Sequence, residues 1–220
     1  MCAVYAPTLN HAWVRDTFRQ TLPEVGHDVY PGQMGPIVVK SHRDERIAIG
    51  LARFGLLPPW AKDSRLGRHT YNARSESVTD KPSYRGAWHA RQFAIVLADR
   101  FYEPCYETGK ACRWAIESAD GAPLAIAGLW DRWVKRDSGE IVVSFTMLTV
   151  NADGHPIMGR FHRPSDEKRT PLVLSLARLH DWLGATPDVA KQLLSAQSMP
   201  ALVSFASPVS PTNHRDPVKE

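Results

Sequence analysis

Cysteine is scarce in this chain. The 220 residues hold three, Cys2, Cys105 and Cys112, an odd number at low density that argues against a disulfide framework and for a reduced, cytoplasmic setting. Long hydrophobic runs are missing too: nothing approaches the roughly 20 apolar residues a membrane span needs. The opening Met1-Cys2-Ala3-Val4-Tyr5-Ala6-Pro7 has no basic region leading into an apolar stretch, so no signal peptide is expected. Metal-ligand spacing is lacking. The nine histidines fall in no paired pattern, and Cys105 and Cys112 have no matching second pair, so neither a metal ion nor another cofactor is expected. Neither sign of charge dominates: 27 Lys+Arg against 23 Asp+Glu leave +4, which permits a local basic groove for a polyanion without demanding one. Arginines gather loosely over Arg65–Arg74, Arg85–Arg100 and Arg160–Arg169, a pattern that a solvated surface also explains. Repeats, low-complexity tracts and linkers are absent, so residues 1–220 read as one domain.

What is present is a core. A hydrophobic content of 43% argues against disorder, while 17 prolines and 14 glycines imply many turns between short elements. Asn10 is placed to cap a helix through Val14, Phe18 and Leu22 that ends before Pro23. Residues Gln33–Ser41, Arg46–Gly55, Arg91–Glu103, Pro123–Val134 and Glu140–Asn151 have the β-branched and aromatic enrichment of strands. Turns are expected at Asp137-Ser138-Gly139 and around Gly109, between Cys105 and Cys112. Ser175 is expected to cap a helix through Leu183 stopped by Gly184, and Thr186-Pro187-Asp188 to start another. Trp114, Trp130 and Trp133 lie in strand-like runs and are expected in the core. Strands outnumber helices without alternating with them, so the class is α+β with a β-rich core.

Cys2 is the first candidate for chemistry. A methionine before a small residue is normally removed, which leaves a cysteine carrying a free α-amine beside its thiol. These titrate near about 8 and 8.5, so both offer nucleophilic forms at neutral pH. Such a 1,2-aminothiol adds twice to one aldehyde carbon and closes a thiazolidine. A frayed terminus with no role is the plain alternative. Three polar segments accompany it: Thr70-Tyr71-Asn72-Ala73-Arg74-Ser75-Glu76, Ala98-Asp99-Arg100-Phe101-Tyr102-Glu103-Pro104, and Phe161-His162-Arg163-Pro164 leading to Arg169-Thr170-Pro171.

In their order these segments resemble the SRAP family (SOS-response-associated peptidase), whose members crosslink to abasic sites in DNA. The matching landmarks are Cys2-Ala3-Val4-Tyr5, Asp28-Val29-Tyr30-Pro31-Gly32, Phe54-Gly55-Leu56-Leu57-Pro58-Pro59-Trp60, Asn72-Ala73-Arg74-Ser75-Glu76, Phe101-Tyr102-Glu103-Pro104 and Phe161-His162 with Arg169-Thr170-Pro171. The resemblance implies a barrel-like β core flanked by short helices. It makes Cys2 the nucleophile, Asn72 the holder of the crosslinked terminus, and Glu103 and His162 the proton-transfer groups. Arg74, Arg169 and Pro31 would contact DNA, with Trp60 as a stacking wall. The implied partner is single-stranded DNA containing abasic sites, in the DNA damage (SOS) response of a bacterial cytoplasm, at the nucleoid. Strand-lyase chemistry and removal of its own Met1 are further implied activities.

The sequence departs from the family in places. Gly-Arg after the cysteine is Ala3-Val4, so one DNA-contacting arginine is missing. The tryptophan after the glutamate is Pro104, the first tryptophan of Trp-Gly is Phe54, and Arg163–Lys168 are extra residues before Arg169. Two other readings stay open. One is a cysteine peptidase or amidase with Cys2 as N-terminal nucleophile. The other is a DNA-binding module without chemistry.

Overall fold

The computed structural model describes residues 2–41, 43–194 and 199–208. In chain order the strands are β1 (Val4–Pro7), β2 (Met34–Lys40), β3 (Ile47–Phe54), β4 (Asn72–Arg74), β5 (Phe93–Cys105), β6 (Cys112–Ser118), β7 (Leu124–Val134), β8 (Ile141–Asn151), β9 (Arg169–Pro171), β10 (Val173–Leu174) and β11 (Leu202–Ala206). The α-helices are α1 (His11–Phe18), α2 (Arg85–His89), α3 (Leu179–Gly184) and α4 (Pro187–Leu193). Strand β5 pairs with β2, β2 with β3, β3 in parallel with β8, β8 with β7, and β7 with β5 again. That circuit closes a five-stranded barrel, which abolishes the free edges of its members. The class is α+β, as the sequence indicates.

The apolar run of β5 is explained by having two covered faces. Ala94, Val96 and Ala98 join Tyr5, Phe54 and Phe145 in one buried cluster, which lies inside the barrel. Phe93, Ile95 and Leu97 alternate with them and join Trp88 of α2 and Trp182 of α3 in a second cluster between barrel and helices. The Trp182 indole N–H donates to the Ala94 carbonyl at 2.9 Å, which fixes the ring over the strand. Inside, Phe54 and Phe145 stack with centroids 5.0 Å apart, and Tyr5 meets Phe54 edge-on at 5.6 Å.

Several local readings hold. The Asn10 side chain accepts from the Trp13 N–H at 3.0 Å, and Thr186 caps α4 with Pro187 in its first turn. Gly109 turns the β5–β6 hairpin with φ 79°, and Gly139 turns β7 into β8 with φ 68°. Two helices differ from expectation. Helix α1 stops at Phe18, where Arg19 takes a left-handed conformation and its N–H caps the Arg15 carbonyl; Leu22 is buried from irregular chain instead. Ser175 makes no side-chain cap and opens a 3₁₀ turn, Leu176–Arg178, that runs into α3, whose last residue is Gly184 itself. Trp133 is buried in a small cluster with Leu57 and Ala61, and Trp114 and Trp130 are half-buried against the cluster inside the barrel.

Gly55 closes the barrel at a place only glycine fits. Its φ is 113°, and an added Cβ would meet the backbone carbonyl of Gly67. Gly55→Ala is expected to cost about 2–4 kcal/mol, read from urea unfolding midpoints at constant m-value.

Candidate functional site

Strand β5 is thirteen residues long and outruns the barrel. Its second half pairs with β1 on one side, Val4 opposite Tyr102, and with β6 on the other, Tyr102 opposite Ala115. The β1 pairing brings Cys2 to the stretch that carries Glu103. Cys2 is fully buried, not frayed. The Asn72 amide donates to the Cys2 carbonyl at 2.6 Å. Asn72 is itself fixed by β4, which pairs with β8 opposite Met147, and by the Tyr84 hydroxyl, which donates to the Asn72 carbonyl at 2.9 Å.

Glu103 and His162 complete the group. Both are buried, and His162 Nδ1 lies 3.5 Å from Glu103 Oε2. His162 has the left-handed φ of 64°, rare for a residue with a Cβ. That turn sends its N–H to the Pro104 carbonyl at 3.0 Å and its Nε2 to the Arg169 carbonyl at 3.2 Å. A carbonyl oxygen only accepts, so Nε2 carries the ring proton and Nδ1 faces Glu103 as an acceptor.

The electrostatics match that tautomer. Burial raises the Glu103 carboxyl from 4.5 to about 7, and burial lowers His162 below its ordinary value. Each group is driven toward its neutral form, giving a carboxylic acid beside a neutral imidazole. Burial, and then the nearby Glu103, push the Cys2 thiol well up. Its Sγ donates toward the Val4 carbonyl at 3.5 Å, so the resting nucleophile is a neutral thiol. Tyr71, half-buried, feels Cys2 and Glu103 and is likewise raised, chiefly by desolvation.

Two cavities lie against this group. One of about 310 Å³ is lined by Ala3, Val4, Tyr102, Pro104 and Arg113, with Glu103 between them on β5. Another of about 370 Å³ is lined by Tyr106, Glu107, Arg160, Pro164 and Lys168 and borders the buried His162. Among the described residues no cluster of His, Cys, Asp and Glu is arranged to hold a metal ion, and no helix is long and apolar enough to cross a membrane.

The residue order and this geometry have a counterpart among known proteins. The family described as SOS response associated peptidase (SRAP) matches residues 1–212. This chain belongs to the SRAP family. It is 28% identical over 172 residues to the abasic site processing protein YoaM of Bacillus subtilis (strain 168), covering 76% of this chain and 71% of that one. It is 29% identical over 128 residues to the abasic site processing protein HMCES of Xenopus tropicalis, over 49% of this chain and 38% of the other. A solved structure from Bordetella bronchiseptica superposes with a TM-score of 0.83 at 34% identity, covering 94% of this chain and all of that one.

Against this SRAP frame the expected DNA-facing residues separate. Trp60 is half exposed, and its indole N–H donates to the Pro82 carbonyl at 3.2 Å, which orients the ring. Arg74, two residues beyond Asn72 on β4, is exposed and pairs with Glu167 at 2.7 Å. Pro31 sits half-buried in the turn that Gly32 completes by donating to the Phe54 carbonyl at 2.7 Å. Arg169 differs from the expectation of an outward phosphate contact. It is buried, and its guanidinium donates to Glu76, Glu167 and both Thr149 oxygens. A guanidinium so engaged braces β9 against β8, and the backbone carbonyl of Arg169 accepts from the His162 ring and fixes it.

Residues that the motifs do not mark also shape the site. Arg113 of β6 lies 3.4 Å over the Tyr102 ring and pairs with Asp28 at 2.5 Å. It stands opposite Pro104 in the β5–β6 register, on the cavity lined by Val4, Tyr102 and Pro104. Only the pairing of β5 with β6 reveals it, since no short motif spans positions 102 and 113.

Proposed function

We propose that this SRAP protein processes abasic sites in single-stranded DNA by forming a covalent thiazolidine with Cys2 once Met1 is removed. The observation that carries this reading is the burial of Cys2 beside Glu103, with its carbonyl held by Asn72 at 2.6 Å. An abasic deoxyribose in its open form offers an aldehyde, which an intact nucleotide lacks. The Cys2 α-amine adds to that carbon, and loss of water leaves an imine. The sulfur then adds to the imine carbon, its proton ending on the imine nitrogen, and the five-membered ring closes. Glu103 in its acid form supplies the proton for sugar opening and for water loss, and His162 Nδ1 exchanges protons with it. Reversal of the adduct and strand cleavage through the imine are assigned to His162. Intact mass of Met1-free protein mixed with an abasic oligonucleotide tests the reaction. The expected product is the sum of both partners less one water, and an unshifted protein mass counts against it.

The DNA path is assigned to Trp60, Arg74, Pro31 and the Arg113 rim of the cavity beside Val4 and Pro104. Arg113 offers both a charge and a flat face where Val4 and Pro104 offer neither. Arg113→Ala is expected to weaken binding to intact single-stranded DNA. It should reduce the slope of log affinity against log salt by about 0.7, the contribution of one phosphate. Fluorescence anisotropy over a salt series reads both, and an unchanged slope removes Arg113 from the path.

A further inference from the structure

Lys168 belongs to the extra residues before Arg169, and nothing in the proposed chemistry uses it. Its ammonium donates to three successive carbonyls, Phe161 at 2.9 Å, His162 at 3.4 Å and Arg163 at 2.8 Å. An ammonium has three donors and no acceptor, so the match is complete. Successive carbonyls of an extended chain point in alternating directions and cannot converge on one point. They converge here because His162 turns the chain left-handed, with φ 64°, directly after the extended Phe161. The same turn directs the imidazole to Glu103 and the Arg169 carbonyl.

We propose that Lys168 is a positioning residue for His162: by gathering the carbonyls of residues 161–163 it holds the strained turn that presents the imidazole to Glu103. Without the ammonium, three converging carbonyl dipoles lose their common partner and repel one another. The backbone then relaxes toward negative φ, and the ring swings away from Glu103. Lys168 needs no contact with DNA for this. The part of the proposal that concerns rates rests on the role given above to His162; the part that concerns ring placement does not.

The test therefore has two arms. In Met1-free protein at saturating abasic DNA, Lys168→Met is expected to slow adduct reversal roughly tenfold and to have no added effect in a His162→Ala background. Lys168→Arg, which keeps the charge but offers a planar fork, should restore the rate in part, and it stands in for Lys168→Met should that variant fail to fold. Without DNA, the His162 ring resonance is followed by NMR across pH. The charged and titratable groups around the ring are the N-terminal α-amine, Glu103 on β5, Lys168, Asp166 and Arg169 on its own loop and β9, and Tyr106, Glu107 and Arg160 across the neighbouring cavity. Burial first, then the positive N-terminus, and to a smaller degree the Lys168 charge depress the imidazole, so its midpoint should rise in Lys168→Met. An unchanged midpoint, or an equal loss of rate with and without His162, overturns the proposal. A wild-type protein that forms no adduct overturns the functional reading instead and leaves the NMR arm to decide on Lys168.

Discussion

Met1-free wild-type protein incubated with an abasic oligonucleotide is expected to give a heat-stable shifted band on a denaturing gel, and Cys2→Ala none. Ring closure is intramolecular because amine and thiol belong to one residue, and such reactions reach effective molarities of about 10⁵ M or more. Cys2→Ala keeps the α-amine and so should still form an imine, labile to heat but trapped by borohydride. A Met1-retaining form should give no heat-stable band, since its amine lies one residue away from the thiol and the ring cannot close. The band should also require an abasic site, with an intact oligonucleotide leaving the protein unshifted. A heat-stable band from Cys2→Ala, or none from processed wild type, would reject Cys2 as the nucleophile.

Glu103→Gln is expected to slow adduct formation by roughly 10²-fold or more, the usual contribution of a placed general acid. Glutamine keeps the shape but cannot give up a proton. The pH profile adds a second readout. Glu103 loses its proton near 7, so its acid limb falls as pH rises through that value. The free α-amine grows in toward about 8. Wild type should therefore show a bell with its maximum between those values, and Glu103→Gln should keep only the rising amine limb. Stability moves the other way. The folded-state pKa is raised, so the native state holds the proton more tightly than the unfolded chain does. This stabilisation is complete below about 4.5 and is lost as pH rises to about 7, an effect of roughly 3 kcal/mol. Glutamine stays neutral, so Glu103→Gln should melt higher than wild type at pH 8. A variant that is both slower and less stable at pH 8 would mean that Glu103 is ionised at rest.

Much of this was legible before the fold was known, for identifiable reasons. Long strands such as β5, β7 and β8 declare themselves through period-two or continuous apolar runs. Short ones such as β4, β9 and β10 hold two or three residues each and leave no periodic trace. Asn72, Glu103 and His162 were named through the ordered family landmarks, since each sits in a polar segment that alone reads as an ordinary turn. The fate of Arg169 was not. An arginine beside acidic residues reads as surface until pairing of β9 with β8 carries it inside, and Glu76, which it meets there, is ninety-three residues distant. Arg113 and Lys168 were invisible for a similar reason: what they touch is set by strand register or by a turn, not by neighbours in sequence. Helix α1 ended early because a left-handed residue can stop a helix at any polar position, here Arg19.

The neutral, enclosed state of Cys2 bears on which molecules it meets productively. Alkylating agents and peroxides attack thiolates, and they take exposed, ionised cysteines first. Cys112 stands exposed, whereas Cys2 is sealed at rest with its proton in place. General electrophiles therefore encounter a chemically silent residue at position 2. The α-amine needs no thiolate to begin on an aldehyde, and once the imine forms, the sulfur is already beside it. Order of addition thus acts as a filter: the nucleophile that is protected from oxidation becomes competent only after the substrate is already bound to its own residue.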